Sequence, residues 1–160
     1  MNIDETAEKR AIDTVVSQFF AAFNNVDNKE VDLSNLRALF VPGAVIVKIC
    51  GSPPVVYSLD EFIAPRQKLL VDGELVNFSE AEMWGDTIIF GSIAQRFCSY
   101  RKSGVLCGGP FVANGMKSIQ LVKTEDGWKI SSVIWDDERD GVVVPSEYKT
   151  KGNSRQSVRS

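Results

Sequence analysis

An α+β fold, with helices segregated from a largely antiparallel sheet, follows from three features of the sequence. The stretch Gly115 to Glu138 reads as a long β-hairpin, because two runs rich in β-branched and aromatic residues flank the turn dipeptide Asp126-Gly127. Residues 4 to 24 carry apolar side chains at Ile12, Val15, Val16, Phe19, Phe20 and Phe23, the spacing of one buried helix face. In order, the chain reads long helix, short helix, strand pair, helix, and then a meander of four long strands that ends in the hairpin.

Each element has its own signal. Glu5 and Glu8 suit the positive end of the first helix, and Asn24 and Asn25 are suited to ending it. A short helix near 33 to 40 has Asp32 or Ser34 as its cap, and Pro42-Gly43 is expected to end it. Ala44 to Ile49 and Val55 to Tyr57 read as a strand and its short return. Ser58 with Glu61 forms a capping box that opens a helix carrying Leu59, Phe62 and Ile63, which Pro65 is expected to kink or interrupt. Residues 75 to 84 read as a strand, Gly85-Asp86 as a turn, and 87 to 101 as a strand with a bulge or bend at Gly91. Residues 102 to 110 read as a glycine-rich loop.

The 160 residues, 44% hydrophobic and 24% charged, suit one domain with a sizeable core over 1–141, followed by a polar, weakly ordered tail over 142–160. The tail holds Lys149, Lys151, Arg155 and Arg159 against Glu147. A net charge of -3 argues against nucleic acid as a partner, and no apolar run approaches the roughly 20 residues needed to span a membrane. Cys50, Cys98 and Cys107 form an odd, unpatterned set behind a charged N-terminus unlike a signal peptide, which points to a reduced, cytoplasmic setting. There is no histidine, so Ser-His and Cys-His nucleophile systems and histidine-ligated zinc are excluded. Carboxylate, Tyr, Lys or Arg chemistry stays open, and no cofactor or metal is called for.

Strict alternation sorts the terminal hairpin into faces. Met116, Ser118, Gln120 and Val122 oppose Lys117, Ile119, Leu121 and Lys123. Trp128, Ile130, Ser132, Ile134 and Asp136 oppose Lys129, Ser131, Val133 and Trp135. Neither strand has a wholly polar side, and one helix can cover only one face of the sheet. The other face is expected to be covered by a second copy, giving a homodimer through the outer sheet face.

Residues 5 to 138 resemble the nuclear transport factor 2-like superfamily, which includes polyketide cyclases (SnoaL-like proteins) and ketosteroid isomerase. The most specific part is GMKSIQLVKTEDGWKISSVIW; LRALFVPGAVIV resembles the passage from second helix to first strand, and SLDEFI the third helix. The resemblance implies a cystatin-like cone, a curved antiparallel or mixed sheet wrapped around the long first helix, with a pocket between them and frequent dimerisation through the outer face. Catalytic members place an Asp, His or Tyr in the cone. This chain has Phe40-Val41-Pro42 where relatives often read Phe-His-Pro, and serines and Val133 where the last strand often carries His.

The candidate pocket residues are Tyr57, Arg96, Ser118, Gln120, Ser132 and Asp136. Arg96 sits mid-strand and needs an anion, whether a ligand carboxylate or Asp136, Glu80 or Glu82. Ser118, Gln120 and Ser132 are polar positions among apolar neighbours, able to line a cavity or to bond across strands. Tyr57 and Tyr100 carry phenols that can steady a ligand oxygen, and Asp136, in an acidic strand end, is the candidate base. Three functions remain open: a small-molecule-binding domain; an isomerase, dehydratase or cyclase using a carboxylate base with Tyr or Arg; and a dimeric interaction module.

Overall fold

The computed structural model describes residues 4–149. Six strands form one sheet: β1 (Phe40–Lys48), β2 (Val55–Ser58), β3 (Leu75–Phe90), β4 (Ile93–Leu106), β5 (Gly109–Thr124) and β6 (Gly127–Asp137). Their spatial order is β2-β1-β6-β5-β4-β3, antiparallel throughout except that β1 runs parallel to β6. Helices α1 (Glu5–Ala21) and α2 (Leu59–Val71) cover the inner face of this curved sheet. The expected α+β class and four-strand meander are present.

The stripe on α1 does what its spacing requires. Ile12, Val16, Phe19 and Phe20 are buried, each contributing roughly 1.5–3 kcal/mol of apolar transfer. Asp4 caps the helix by accepting from the Ala7 amide at 3.2 Å. Buried Asn25 then ties its end to β3: Nδ2 donates to the Leu75 carbonyl and Oδ1 accepts from the Phe78 amide, both at 2.7 Å. Polar latches fasten the rest of α1, Glu8 accepting from Lys123 and Trp128, and Asp13 from Arg96.

Several boundaries differ from the sequence reading. β1 begins at Phe40 and carries Pro42-Gly43 within it, at a break in register between Phe40 and Val45, where the missing proline donor leaves no ladder bond unmade. The helix opened by the Ser58–Glu61 capping box runs on through Pro65, and the carbonyl deprived of its donor belongs to exposed Glu61. Gly85-Asp86 is not a turn. β3 continues to Phe90, and the hairpin turns at Gly91-Ser92, where Gly91 has φ +56°. Residues 102 to 110 are strand rather than loop, apart from a two-residue turn at Cys107 and Gly108 with φ of 49° and 82°, the signature of a primed hairpin turn. In the last hairpin the turn occupies Glu125-Asp126, and Gly127 starts the return strand at φ +97°.

Extra residues in the strands matter most for the site. One interrupts β6 at Ser131, where Gln120 pairs with Ser132 but Leu121 pairs with Ile130. A single extra residue reverses the facing of everything beyond it. Val133 and Trp135 therefore join Trp128 and Ile130 in the core, while Ser132, Ile134 and Asp136 point outward. A similar irregularity at Met83 keeps Glu80 and Glu82 on the inner side and Trp84 on the outer.

The segment after β6 also departs from expectation. Val144 is buried, Tyr148 stacks on Trp84 with centroids 4.2 Å apart, and Ser99 donates to the Tyr148 carbonyl. The chain itself thus covers part of the outer face; residues 150–160 of the expected tail lie outside the described residues.

Gly115 shows how little room the inner face leaves. A Cβ there would stand 2.3 Å from both the Asp136 carbonyl and the Tyr100 hydroxyl, whereas one at Gly85 would meet side-chain atoms, Arg96 Nε at 2.6 Å and Glu82 Oε1 at 2.8 Å, whose pairing must shift to admit it. Gly115→Ala is expected to destabilise by about 3 kcal/mol and Gly85→Ala by about 1, an order that urea midpoints will show.

Candidate functional site

A cavity of about 340 Å³ opens between α1, α2 and the inner sheet face. Its size falls at the low end of the roughly 300–1,000 Å³ typical of ligand pockets. Phe19, Phe23, Phe62, Phe78, Phe111 and Trp135 supply aromatic wall, and Pro65, Leu69, Leu70, Leu75 and Leu106 complete the apolar part. Phe62 organises the wall, with Phe23, Tyr57 and Trp135 all meeting it edge-on at centroid distances of 5.8–6.3 Å.

Four charged groups enter this apolar setting: Arg66, Glu80, Lys102 and Lys117. Alternation along β5 sends Lys117 inward with Ile119 and Leu121, and only 5% of it is exposed. Its ammonium lies 3.2 Å from Glu80, 4.2 Å from the Tyr100 ring centroid and 5.3 Å from that of Trp135. The cation is held by a carboxylate on one side and by aromatic faces on the others. Lys102 reaches Asp137 at 3.1 Å, and the Tyr100 hydroxyl donates to the same carboxylate. Burial works to raise Asp137, but bonds from Tyr100, Lys102 and Cys50 outweigh it and hold the acid below the ordinary carboxylate range. Tyr100 is pushed far above a normal phenol by burial and by that carboxylate, so it acts as a donor only. Burial likewise raises the Cys50 thiol, which stays protonated beside Asp137.

Arg66 stands apart. It projects from α2 with its guanidinium carbon 3.8 Å from the Phe62 centroid, 5.6 Å from Tyr57 and 5.7 Å from Trp135. Its Nη1 donates to the Phe62 carbonyl at 3.0 Å. Burial pulls its pKa below the usual guanidinium value, against the opposing influence of Tyr57 and Glu80.

The six residues singled out from the sequence are scattered. Tyr57 stands behind Arg66 at the edge of the cavity wall. Arg96 faces inward but is consumed by structure: only 8% exposed, it forks onto Glu82 and also donates to Asp13 and Thr87, joining α1 to the sheet. Of the anions proposed for it, Glu82 is the one it meets. Ser118, Gln120, Ser132 and Asp136 lie on the outer face. Ser132 donates to Gln120 at 3.2 Å, Asp136 pairs with Arg139, and Ser118 flanks Met116 and Ile134. Their exclusion from the cavity follows from strand facing: Lys117, Ile119 and Leu121 take the inner side of β5, and the extra residue at Ser131 makes Asp137, not Asp136, the inward carboxylate at the strand end. The sequence did carry a signal for Lys117, which shares its side with Ile119 and Leu121. It also carried one for Arg66, four residues after Phe62 on one helix face.

The same architecture occurs in solved structures. The Kfla4162 protein from Kribbella flavida aligns with a TM-score of 0.69 at 18% identity, covering 85% of this chain and 94% of that one. A nuclear transport factor 2-like superfamily protein from Salmonella enterica gives 0.68 at 13% identity, covering 88% and 98%. A candidate scytalone dehydratase from Novosphingobium aromaticivorans gives 0.66 at 14% identity, covering 84% and 86%. No family model matches the chain, and no curated protein matches it significantly. The chain therefore has the nuclear transport factor 2-like fold, as its terminal hairpin suggests.

The Lys117–Glu80 pair makes a stability prediction. Lys117→Met leaves Glu80 buried without its cation and is expected to cost about 3–5 kcal/mol, while adding Glu80→Met should restore most of the loss. Chemical denaturation of the single and double variants measures this.

Proposed function

We propose that this chain binds a small, largely aromatic or apolar molecule in the cone. The supporting observation is the cavity itself: an aromatic wall some 340 Å³ in volume into which four charged heads converge. A core meant only to be filled would not bring Lys117 and Glu80 together under aromatic rings, because burying an ion pair gains little over apolar packing. Acid–base turnover by an isomerase, dehydratase or cyclase is the second reading, and Glu80 is its carboxylate, with Arg66 as the electrophile. Binding ranks ahead of it because Glu80 is already engaged as the counter-ion of Lys117.

A further proposal concerns assembly. Ile88, Phe90, Ile93, Phe97 and Ile134 are exposed on the outer face, Phe90 by 82%. Such an apolar strip supports a homodimer through this face. Cys50, Cys98 and Cys107 are free thiols, which supports a reducing, cytoplasmic setting. No helix among the described residues is long and apolar enough to cross a membrane.

Two experiments follow. Trp135 lines the cavity, so its fluorescence should respond saturably to a neutral aromatic probe such as 2-naphthol. Leu70→Trp, which fills the space, should weaken that binding by about tenfold or more, equivalent to roughly 1.4 kcal/mol or more. No saturable response from any small aromatic probe at millimolar concentration would refute the cavity reading. Sedimentation should show twice the monomer mass for the natural chain and the monomer mass for Phe90→Lys/Ile93→Glu; a natural chain that stays monomeric at high concentration excludes the dimer.

A further inference from the structure

Three cations border the cavity, and two of them are matched. Lys117 faces Glu80 at 3.2 Å and Lys102 faces Asp137 at 3.1 Å. Arg66 has no carboxylate within ion-pair distance among the described residues, so the group carries one positive charge that the protein does not balance there. A cation half-removed from water still needs compensation, and aromatic faces, one backbone carbonyl and the nearby Tyr57 hydroxyl supply only part of it. The guanidinium is also held in place, its plane supported by Phe62 and flanked by Tyr57 and Trp135. Of its five N–H donors one goes to the backbone carbonyl of Phe62 and the Tyr57 hydroxyl draws on another, with no carboxylate taking the rest.

We infer that Arg66 is the anchor for an anionic group on the ligand, and that the ligand class is a small aromatic monocarboxylate. This rests on the cavity being a ligand site. The carboxylate matches the planar fork of the guanidinium through two parallel hydrogen bonds, and it neutralises the surplus charge. The ring fits the wall formed by Phe62, Phe78, Phe111 and Trp135. A dicarboxylate is disfavoured, because Lys102 and Lys117 already hold their own counter-ions. A neutral ligand would take Arg66 further from water with only the Phe62 carbonyl and Tyr57 to pair it, a cost of the kind that makes a polar group selective for its partner.

The test compares 2-naphthoate with 2-naphthylmethanol, two probes sharing one ring system, on the full chain. The natural protein should bind the acid about tenfold or more tightly than the alcohol, and Arg66→Gln should erase that preference, weakening the acid by about tenfold more than the alcohol. Arg66→Lys keeps the charge and much of the stem on Phe62, and it should retain only part of the preference because an ammonium lacks the fork. Thermal melts confirm that each variant is folded. Equal affinity for both probes in the natural protein, or a preference that survives in Arg66→Gln, overturns the inference and leaves the cavity reading intact. If the acid fails to bind while another small aromatic probe binds, the inference alone is overturned; if no small aromatic probe binds at millimolar concentration, the cavity reading falls and the inference with it.

Discussion

A charge inside an apolar cone has to be answered, and this requirement governs the interior. Lys117 is sent inward by the pleat of β5, and from there it can reach neither solvent nor the outer face. Glu80 on β3 answers it across the intervening strand β4. The same rule recurs at Arg96 with Glu82 and Asp13, and at Lys102 with Asp137. Each pairing links separate elements, and the one between Arg96 and Asp13 ties α1 to the sheet. Phe19 and Phe20 of α1 lie within about 6 Å of the Lys117 ammonium, so the helix also contributes to the aromatic cage around it.

The fold was legible because its signals are periodic. The stripe on α1, the Ser58–Glu61 capping box and the alternation of the last hairpin each require only local counting. The site was less legible because periodicity fails where it matters. Asp136 is a sound expectation for an inward carboxylate if β6 alternates without interruption, and Ser131 breaks that count. Nothing in the residues Ile130-Ser131-Ser132 marks which of them is doubled against Gln120 and Leu121, because that choice depends on the partner strand. Gly85 and Gly91 were misassigned for a related reason. Both invite a turn, but Gly85 is small to let Arg96 and Glu82 meet, whereas Gly91 is needed for its backbone angle. Composition cannot separate these two uses of glycine.

The missing histidines are better understood from the interior than from the composition. An imidazole would titrate near neutral pH, whereas Asp137, against the upward pull of burial, is held below the ordinary carboxylate range by bonds from Tyr100, Lys102 and Cys50. Tyr100 and Cys50 are both driven further from ionisation by their surroundings.

The two faces of the sheet are separated along its length as well as across its thickness. The cavity lies at the end of the β3–β4 pair where Leu75 and Glu80 meet Leu106 and Lys102, while the exposed strip of Ile88, Phe90 and Ile93 lies at the opposite end, beside the Gly91-Ser92 turn. Between them the outer surface at Trp84 and Ser99 is covered by the chain's own Tyr148. A second copy seated on Ile88, Phe90 and Ile93 would leave the cavity mouth open, and would meet the Tyr148 segment only where the strip reaches Phe97, whose ring packs on Tyr148. Curvature makes this separation possible: a flat sheet would expose both ends to the same partner, whereas a sheet bent around α1 turns its hollow inward and leaves the hairpin tip outside. On the proposed reading, any coupling between a ligand in the cone and a second copy on the strip would have to travel along β3 and β4, from the Lys117–Glu80 pair in the cavity wall through Arg96 and Glu82.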